Sequence, residues 1–311
     1  MAEPVTVANF IRAETGRMFA SLQNEAGGVN RFNHRREPTS VGHQPVVRMN
    51  RDTLYSSAIV DISAGATITL PDAGDRYLSA MVVNEDHYIN RILHEPGEHT
   101  LTVDEFGTPC VAVATRILVD PAQAEDVATV NALQDALRVD AGSASPFVLP
   151  DYDQESFDET RQAIAGLAKH LGGFTGAFGP RAEVDPVRHL VGTAVGWGGL
   201  PQSEAIYLGV DPELPVGEYT LTVGDVPVDG FWSVSVYNAD GFFEPNDRNA
   251  YSVNNITADR NDDGTVTIHF GGDGDKPNLL PIMEGWNYTV RLYRPRPEAI
   301  DGSWTFPTIA T

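Results

Sequence analysis

The sequence predicts a mainly β protein with some α: two antiparallel β-sandwich or jelly-roll-like domains joined by a helical segment. Three observations predict it. Short strand-like pieces follow one another from Thr53 to Val119 with no helix between them. A second series of the same kind runs from Ala205 to the end, and helical periodicity is confined to the N-terminus and the middle of the chain. The division is residues 1–120 for an N-terminal helix plus a β-rich domain, 121–180 for a helical connector, and 181–311 for a second β-rich domain.

The elements follow in order. Val7, Phe10, Ile11, Phe19 and Leu22 recur mainly at intervals of three, four or seven, which is the spacing of one helix face. Gly27 to Met49, rich in Asn, Arg, His, Gly and Pro, reads as surface loop. LYSSAIVDI, ATITL, YLSAMVVN, EHTLTV and CVAVATRILV then read as strands, with PDAGD, EPGE and DEFGTP as turns. PAQAEDVATVNALQDALRV places Val127, Val130, Leu133 and Leu137 on one helical face, and QESFDETRQAIAGLAKHL forms a second helix closed by Gly172 and Gly173. EAIYLGV, GEYTLTV, GFWSVSVYN, YSVNN, TVTIHF and WNYTVRLYRP are the second series of strands. In FWSVSVY, Phe231, Ser233, Ser235 and Tyr237 fall on one face and Trp232, Val234 and Val236 on the other.

Charge excludes several partners. The chain has 311 residues with 21 Lys plus Arg against 43 Asp plus Glu, a formal net charge of -22. Such a surface repels phosphate backbones and anionic headgroups, so neither nucleic acid nor a membrane is an expected partner. Only Lys169 and Lys276 are lysines; a high-GC genome and a halophilic surface both fit that bias. The lone Cys110 excludes a disulfide framework and reads as a buried structural thiol. No apolar run reaches the length of a membrane span, and the N-terminus lacks the basic start and apolar core of a signal peptide, so a cytoplasmic location is expected.

Several motif matches fail on spacing. DRNDDG opens like a calcium loop, but the twelfth position is Phe270 where a bidentate Glu is needed, and the segment reads as a turn. The histidines of HEPGEH are five apart around Pro96 and Gly97, not four apart on a helix, and read as a hairpin turn. GGFTGAFG follows a helix where a dinucleotide loop follows a strand. No cofactor is predicted; a metal held by His87, His94 and His99 is the alternative.

Polar residues beside strand signals remain. Asn50 to Tyr55 packs an amide, a guanidinium (Arg51), a carboxylate (Asp52) and a phenol (Tyr55) at a strand entrance, as a structural ion pair or as a site. Asn84-Glu85-Asp86-His87-Tyr88 sets an imidazole beside two carboxylates, which suits a general base or a solvated strand end. Trp232, Tyr237, Asn246, Arg248 and Tyr251 bracket the loop GFFEPND and suit either a small polar ligand or core packing.

These residues also carry a family resemblance. NRDTLYSSAIVDIS, LPDAGDRYLSAMVVNEDHYIN and, later, GLPQSEAIYLGV, VDGFWSVSVYNADGFFEPNDRNAYSVNN, DDGTVTIHFG and VRLYRPRPEAIDGSWTFP resemble the bacterial family that joins domain of unknown function 1254 to domain of unknown function 1214. The resemblance covers most of the chain and least of all its helical middle. It implies two β-rich domains, the second, residues 181–311, jelly-roll-like, and often a homo-oligomer. Many relatives look exported, whereas this chain starts close to the first domain. The family motifs surround Asp52, Tyr55, His87, Trp232, Tyr237, Asn246 and Arg291. The reading that follows is an enzyme acting on a small polar or anionic metabolite by acid–base chemistry. Asp52 and His87 are its expected catalytic pair; Arg51, Tyr55, Tyr88, Trp232, Tyr237, Asn246 and Arg291 are its expected ligand contacts. Hydrolase, lyase and isomerase are not distinguished. The alternative is a non-catalytic ligand-binding or oligomeric scaffold protein.

Overall fold

A computed structural model describes residues 2–44 and 47–310. In chain order the first half contains α1 (Phe10–Ala26), β1 (Asn33–His34), β2 (Thr53–Asp61), β3 (Ala66–Leu70), β4 (Leu78–Asn84), β5 (Ile89–Leu93), β6 (Gly97–Leu101), α2 (Val103–Phe106), β7 (Cys110–Leu118), α3 (Ala124–Ala136) and β8 (Arg138–Ala141). The second half contains α4 (Gln154–Leu167), α5 (Pro186–Gly196), β9 (Ala205–Val210), β10 (Tyr219–Val223), β11 (Trp232–Tyr237), β12 (Ser252–Asn254), β13 (Val266–Phe270), β14 (Leu279–Leu280), β15 (Asn287–Tyr293) and α6 (Pro297–Ile300). The protein is mainly β, as the sequence predicts, and its strand pairs are antiparallel except β13 with β14.

The chain forms two compact units, each discontinuous. The first is Met1–Arg36, Tyr55–Ile117 and Thr129–Gln202; the second is Glu37–Leu54, Leu118–Ala128 and Ser203–Thr311.

In the first unit a five-stranded sheet runs β1-β2-β7-β4-β5, and a three-stranded sheet runs β6-β3-β8. Every residue of β4 is buried, and so are eight of nine in β7, which explains their near-continuous apolar sequence. In β3 burial alternates, with Ala66, Ile68 and Leu70 inward. The chain from His94 to His99 turns between β5 and β6, strands of different sheets, so it makes a corner and not the hairpin read from the sequence. α3 stops at Ala136, and Arg138 and Val139, read as the helix end, instead pair with β3. The helices of the middle pack in this unit, where Phe10 and Ala13 of α1, Phe157 and Ile164 of α4, and Val191 and Ala194 of α5 share one apolar cluster.

The sequence reading missed α5, inside the stretch assigned to the second β domain. Its signals are present: Asp185 accepts hydrogen bonds from the Val187 and Arg188 N–H groups, and Pro186 opens the first turn. Gly192 and Gly196 weaken the helical pattern. Gly192 is needed because a Cβ there would meet Ala177 and Phe178 at 3.0 Å.

The second unit is a sandwich of two sheets, β12-β11-β15-β9 and β10-β13-β14. Trp232, Val234 and Val236 of β11, with Val290 and Leu292 of β15, pack against Leu221, Val223, Ile268 and Phe270 from the facing sheet. The alternation predicted for FWSVSVY is therefore present, and its apolar face is the core face. The opposite face is buried too, and that burial creates the candidate site.

Candidate functional site

On β11 the face turned away from the core carries Ser233, Ser235 and Tyr237; register places Ser233 opposite both Arg291 and Asn254, and Ser235 opposite both Thr289 and Ser252. A strand has period two, so this one face collects a guanidinium, an amide, a phenol and four hydroxyls. The segment Arg48 to Asp52, supplied to this unit from near the N-terminus, covers it. Arg48 Nη1 donates to Thr289 Oγ1 at 2.8 Å, Tyr237 OH donates to the Met49 carbonyl at 2.7 Å, and Asn50 Nδ2 donates to Tyr293 OH at 3.1 Å.

Arg291, 3% exposed, is the centre of the arrangement. It donates to Ser235 Oγ (2.9 Å), Tyr237 OH (2.6 Å), and the carbonyls of Arg48 (2.9 Å) and Met49 (3.3 Å). Burial works against its charge, but Tyr237, Tyr293 and Asp52 together raise its pKa above the ordinary guanidinium value. Burial also pushes the Tyr237 phenol up, so it stays protonated and donates. The expectation that Arg291 and Tyr237 hold a ligand meets a physical objection: their polar atoms are spent on the protein's own carbonyls and hydroxyls.

Asp52 is fully buried. Its Oδ1 accepts from Ser252 Oγ at 2.9 Å and Asn254 Nδ2 at 3.1 Å, while Oδ2 has no hydrogen-bond partner. Ser252 and Asn254 in turn line a cleft of about 250 Å³ within the second unit, with Arg51, Asp120, Arg248, Tyr251, Asp259 and Asn278. Arg51 lies with its guanidinium 5.1 Å from the Tyr251 ring centroid and donates to the Thr39 carbonyl. It is 8% exposed and makes no ion pair among the described residues. Burial lowers its pKa, with Tyr251 and Asp52 opposing.

His87 belongs to the first unit and to a different arrangement. Its backbone is left-handed, φ 62°, at the end of a tight turn whose Asn84 Oδ1 accepts the Asp86 and Tyr88 N–H groups. The Gly198 N–H donates to His87 Nε2 at 3.0 Å, which fixes the ring proton on Nδ1, where it is donated to Thr193 Oγ1 at 2.8 Å. Thr193 passes its own proton to the His189 carbonyl. Burial first, and His189 second, lower the His87 pKa well below the usual imidazole value. The ring stacks between Trp197 (5.3 Å) and His189 (5.4 Å), and Tyr88 stacks on His189 at 4.7 Å. Both nitrogens are engaged and the ring is shut from solvent, so the general-base role expected of His87, and the ligand role expected of Tyr88, do not follow from this geometry.

The remaining expected contacts are also accounted for. Tyr55 lies under the Arg116 guanidinium at 5.6 Å in the first unit. Trp232 packs in the sandwich core beside Phe306. Asn246 organises its own loop, accepting from the Arg248 and Ala250 N–H groups and donating to the Ala250 carbonyl. The three histidines proposed for a metal do not converge: His94 bonds the Leu78 carbonyl and His99 the Glu95 carbonyl. Among the described residues no cluster of three or more His, Cys, Asp or Glu is arranged for a metal ion. What the sequence reading missed is the cleft: Ser252, Asn254, Asp120 and Asp259 line it. The S-x-N spacing of YSVNN held the available signal, since alternate residues share a strand face.

With this geometry in view, comparison with known proteins places the family. Residues 29–100 match the family described as DUF1254, and residues 215–297 match the protein of unknown function family DUF1214. The chain carries a DUF1254 region followed by a DUF1214 region. No curated protein matches the sequence. The fold is similar to that of the VPA0106 protein of Vibrio parahaemolyticus, with TM-score 0.75 and 19% identity over 98% of this chain and 97% of that one. It is also similar to an uncharacterised protein from Burkholderia cenocepacia, with TM-score 0.54 and 15% identity over 98% and 86%. At these identities the likeness is one of fold. Among the described residues no helix is long and apolar enough to cross a membrane.

Proposed function

We propose that the DUF1214-bearing unit binds a small metabolite with an anionic group in the cleft beside Asp52. One observation carries this reading: Arg51 is a buried guanidinium at the cleft wall that makes no ion pair among the described residues. Burying an unpaired charge costs several kcal/mol, a cost that an anion arriving in the cleft would offset. The cleft's volume, about 250 Å³, lies just below the range of roughly 300–1,000 Å³ that suits drug-sized molecules, so the ligand is small.

Asp52 gives the site its chemistry. The Ser252 hydroxyl donates its proton to Asp52 Oδ1, so its lone pairs are left to accept from a ligand. A proton leaving the ligand through Ser252 can settle on Asp52, which makes the pair an acid–base relay for hydrolysis, elimination or isomerisation. The test has two arms. Arg51→Gln is expected to abolish calorimetric binding of small carboxylates such as glutarate; unchanged binding would sink the reading. Once a substrate is found by screening, Asp52→Asn and Ser252→Ala are expected to lose turnover by about 10²-fold or more while binding persists. Retained turnover would show that Asp52 is structural and that the chemistry lies elsewhere; turnover of no screened substrate would leave the alternative, a binding or scaffold protein. The orphan Oδ2 beneath the cleft is the observation that favours the catalytic role.

A further inference from the structure

Four charged residues line the cleft: Arg51, Arg248, Asp120 and Asp259. Arg248 is already compensated, since Nη1 lies 3.4 Å from Asp275 and Nη2 donates to the Gly274 carbonyl. The other three make no ion pair among the described residues. Each of the two residues is nevertheless held in place by other bonds. The Asp120 N–H donates to the Asp126 carboxylate at 2.7 Å, and its own Oδ1 accepts the Ala122 N–H at 2.9 Å. The Asp259 backbone is pinned on both sides by Asn278, which accepts its N–H and donates to its carbonyl, each at 2.8 Å. Among the described residues no hydrogen bond occupies the Asp259 carboxylate. The backbone is thus fixed and the charge left unused.

The uncompensated charge of the cleft is therefore one buried cation and two carboxylates. A plain anion satisfies the first and is repelled by the other two. We infer that the ligand is a small carboxylic acid that also carries an amine, its carboxylate held by Arg51 and its ammonium by Asp120 and Asp259. The inference rests on the reading of this cleft as a binding site. Arg51 suits a planar carboxylate, because a guanidinium offers paired N–H groups to it, and its guanidinium lies 5.1 Å from the Tyr251 ring centroid. An ammonium, with three donors and no acceptor, matches two carboxylates equally well.

The experiment compares three probes of one chain length on the full chain by calorimetry: pentanoate, glutarate and 5-aminopentanoate. The aminated acid is expected to bind at least about fivefold more tightly than either of the others, the equivalent of one solvent-accessible ion pair. In an Asp120→Asn, Asp259→Asn double variant that advantage should vanish while pentanoate binding is kept or strengthened, because the two repelling charges are gone. Asparagine still accepts the Ala122 N–H, so the loop is kept. Glutarate binding as tightly as 5-aminopentanoate, or an advantage that survives the double variant, overturns the zwitterion and leaves the anion site standing. Unchanged binding of all three in Arg51→Gln, or binding of none by the unaltered protein, overturns both.

Discussion

Replacing Arg291 by Met is the sharpest test of how the second unit is built. Methionine approximates the length and volume of the arginine stem but donates nothing. Four acceptors lose a donor. Two of them keep other bonds, because Tyr237 OH still donates to the Met49 carbonyl. The Arg48 carbonyl and Ser235 Oγ then lose the guanidinium that reached them. The Ser235 hydroxyl keeps its hydrogen bond with Tyr237, so the Arg48 carbonyl is the group left stranded, at a cost of about 1–3 kcal/mol. Asp52 also loses one of the charges that offset its own burial, while removal of the buried guanidinium returns part of its desolvation cost. The net expectation is a loss of about 1–3 kcal/mol, or about 5 °C in Tm for a domain of this size. Urea unfolding followed by tryptophan emission reads it out, since Trp232, Trp286 and Trp304 all lie in the second unit. Because the protein has two units, the transition to follow is the one that reports these residues. A loss below about 1 kcal/mol would show that residues 48–52 are held by something other than this guanidinium.

The other predictions concern the first unit. His87 is neutral in the fold and has a lowered pKa, so its unfolded form takes up a proton first as pH falls below the ordinary imidazole value of about 6.5. The stability it contributes is complete above that value and declines below it by up to about 1.4 kcal/mol per pH unit. His87→Asn, which tolerates the left-handed backbone, is expected to flatten that slope between pH 6.5 and 5 in chemical-denaturation series. The Cys110 thiol, pushed up to about 12 by burial and by Glu85 and Asp61, should resist maleimide in the native protein at pH 8 and react in urea. Labelling of native protein at the rate of a free thiol contradicts this. Burial raises the Asp61 carboxyl, but hydrogen bonds from Ser143, Ser63 and Ser145 outweigh it and hold the group at about 2. Its contribution is therefore present above about pH 4 and lost as pH falls towards 2. Asp61→Ala should cost about 1 kcal/mol at pH 7 and remove that acid dependence from the unfolding midpoint.

Much of this architecture was legible because period and face are written in side chains. The alternation of β11 separated a core face from a polar one, and the apolar runs of β2, β4 and β7 announced a buried sheet. Other features resisted because backbone atoms leave no trace in the sequence. Arg291 looked available to a ligand, yet two of its partners are the carbonyls of Arg48 and Met49. His87 stood beside Glu85 and Asp86 in the chain, but the left-handed turn sends its ring to Thr193. Glu85 meanwhile takes the Cys110 N–H, and Asp86 takes Arg12. β5 and β8 are short and carry arginines, so neither offered a clear pattern. Arg51 and Asp52 were singled out with Tyr237 and Arg291 from stretches nearly 200 residues apart, and all four lie in the second unit.

That last placement bears on inheritance. The family regions matched are contiguous stretches, residues 29–100 and 215–297, yet residues 37–54 of the first are built into the second unit together with 118–128. The chain changes unit five times, after residues 36, 54, 117, 128 and 202. A gene cut at codon 203 would encode a DUF1214 region without the strap that Arg291 grips, and without Arg51, Asp52 or Asp120. Such a fragment is not a cassette that recombination can lend to another protein, nor one that a cloning scheme can express alone with its cleft intact. The unit that carries the second matched region is completed by residues 37–54 of the first, so a cut between the two regions divides a folded unit.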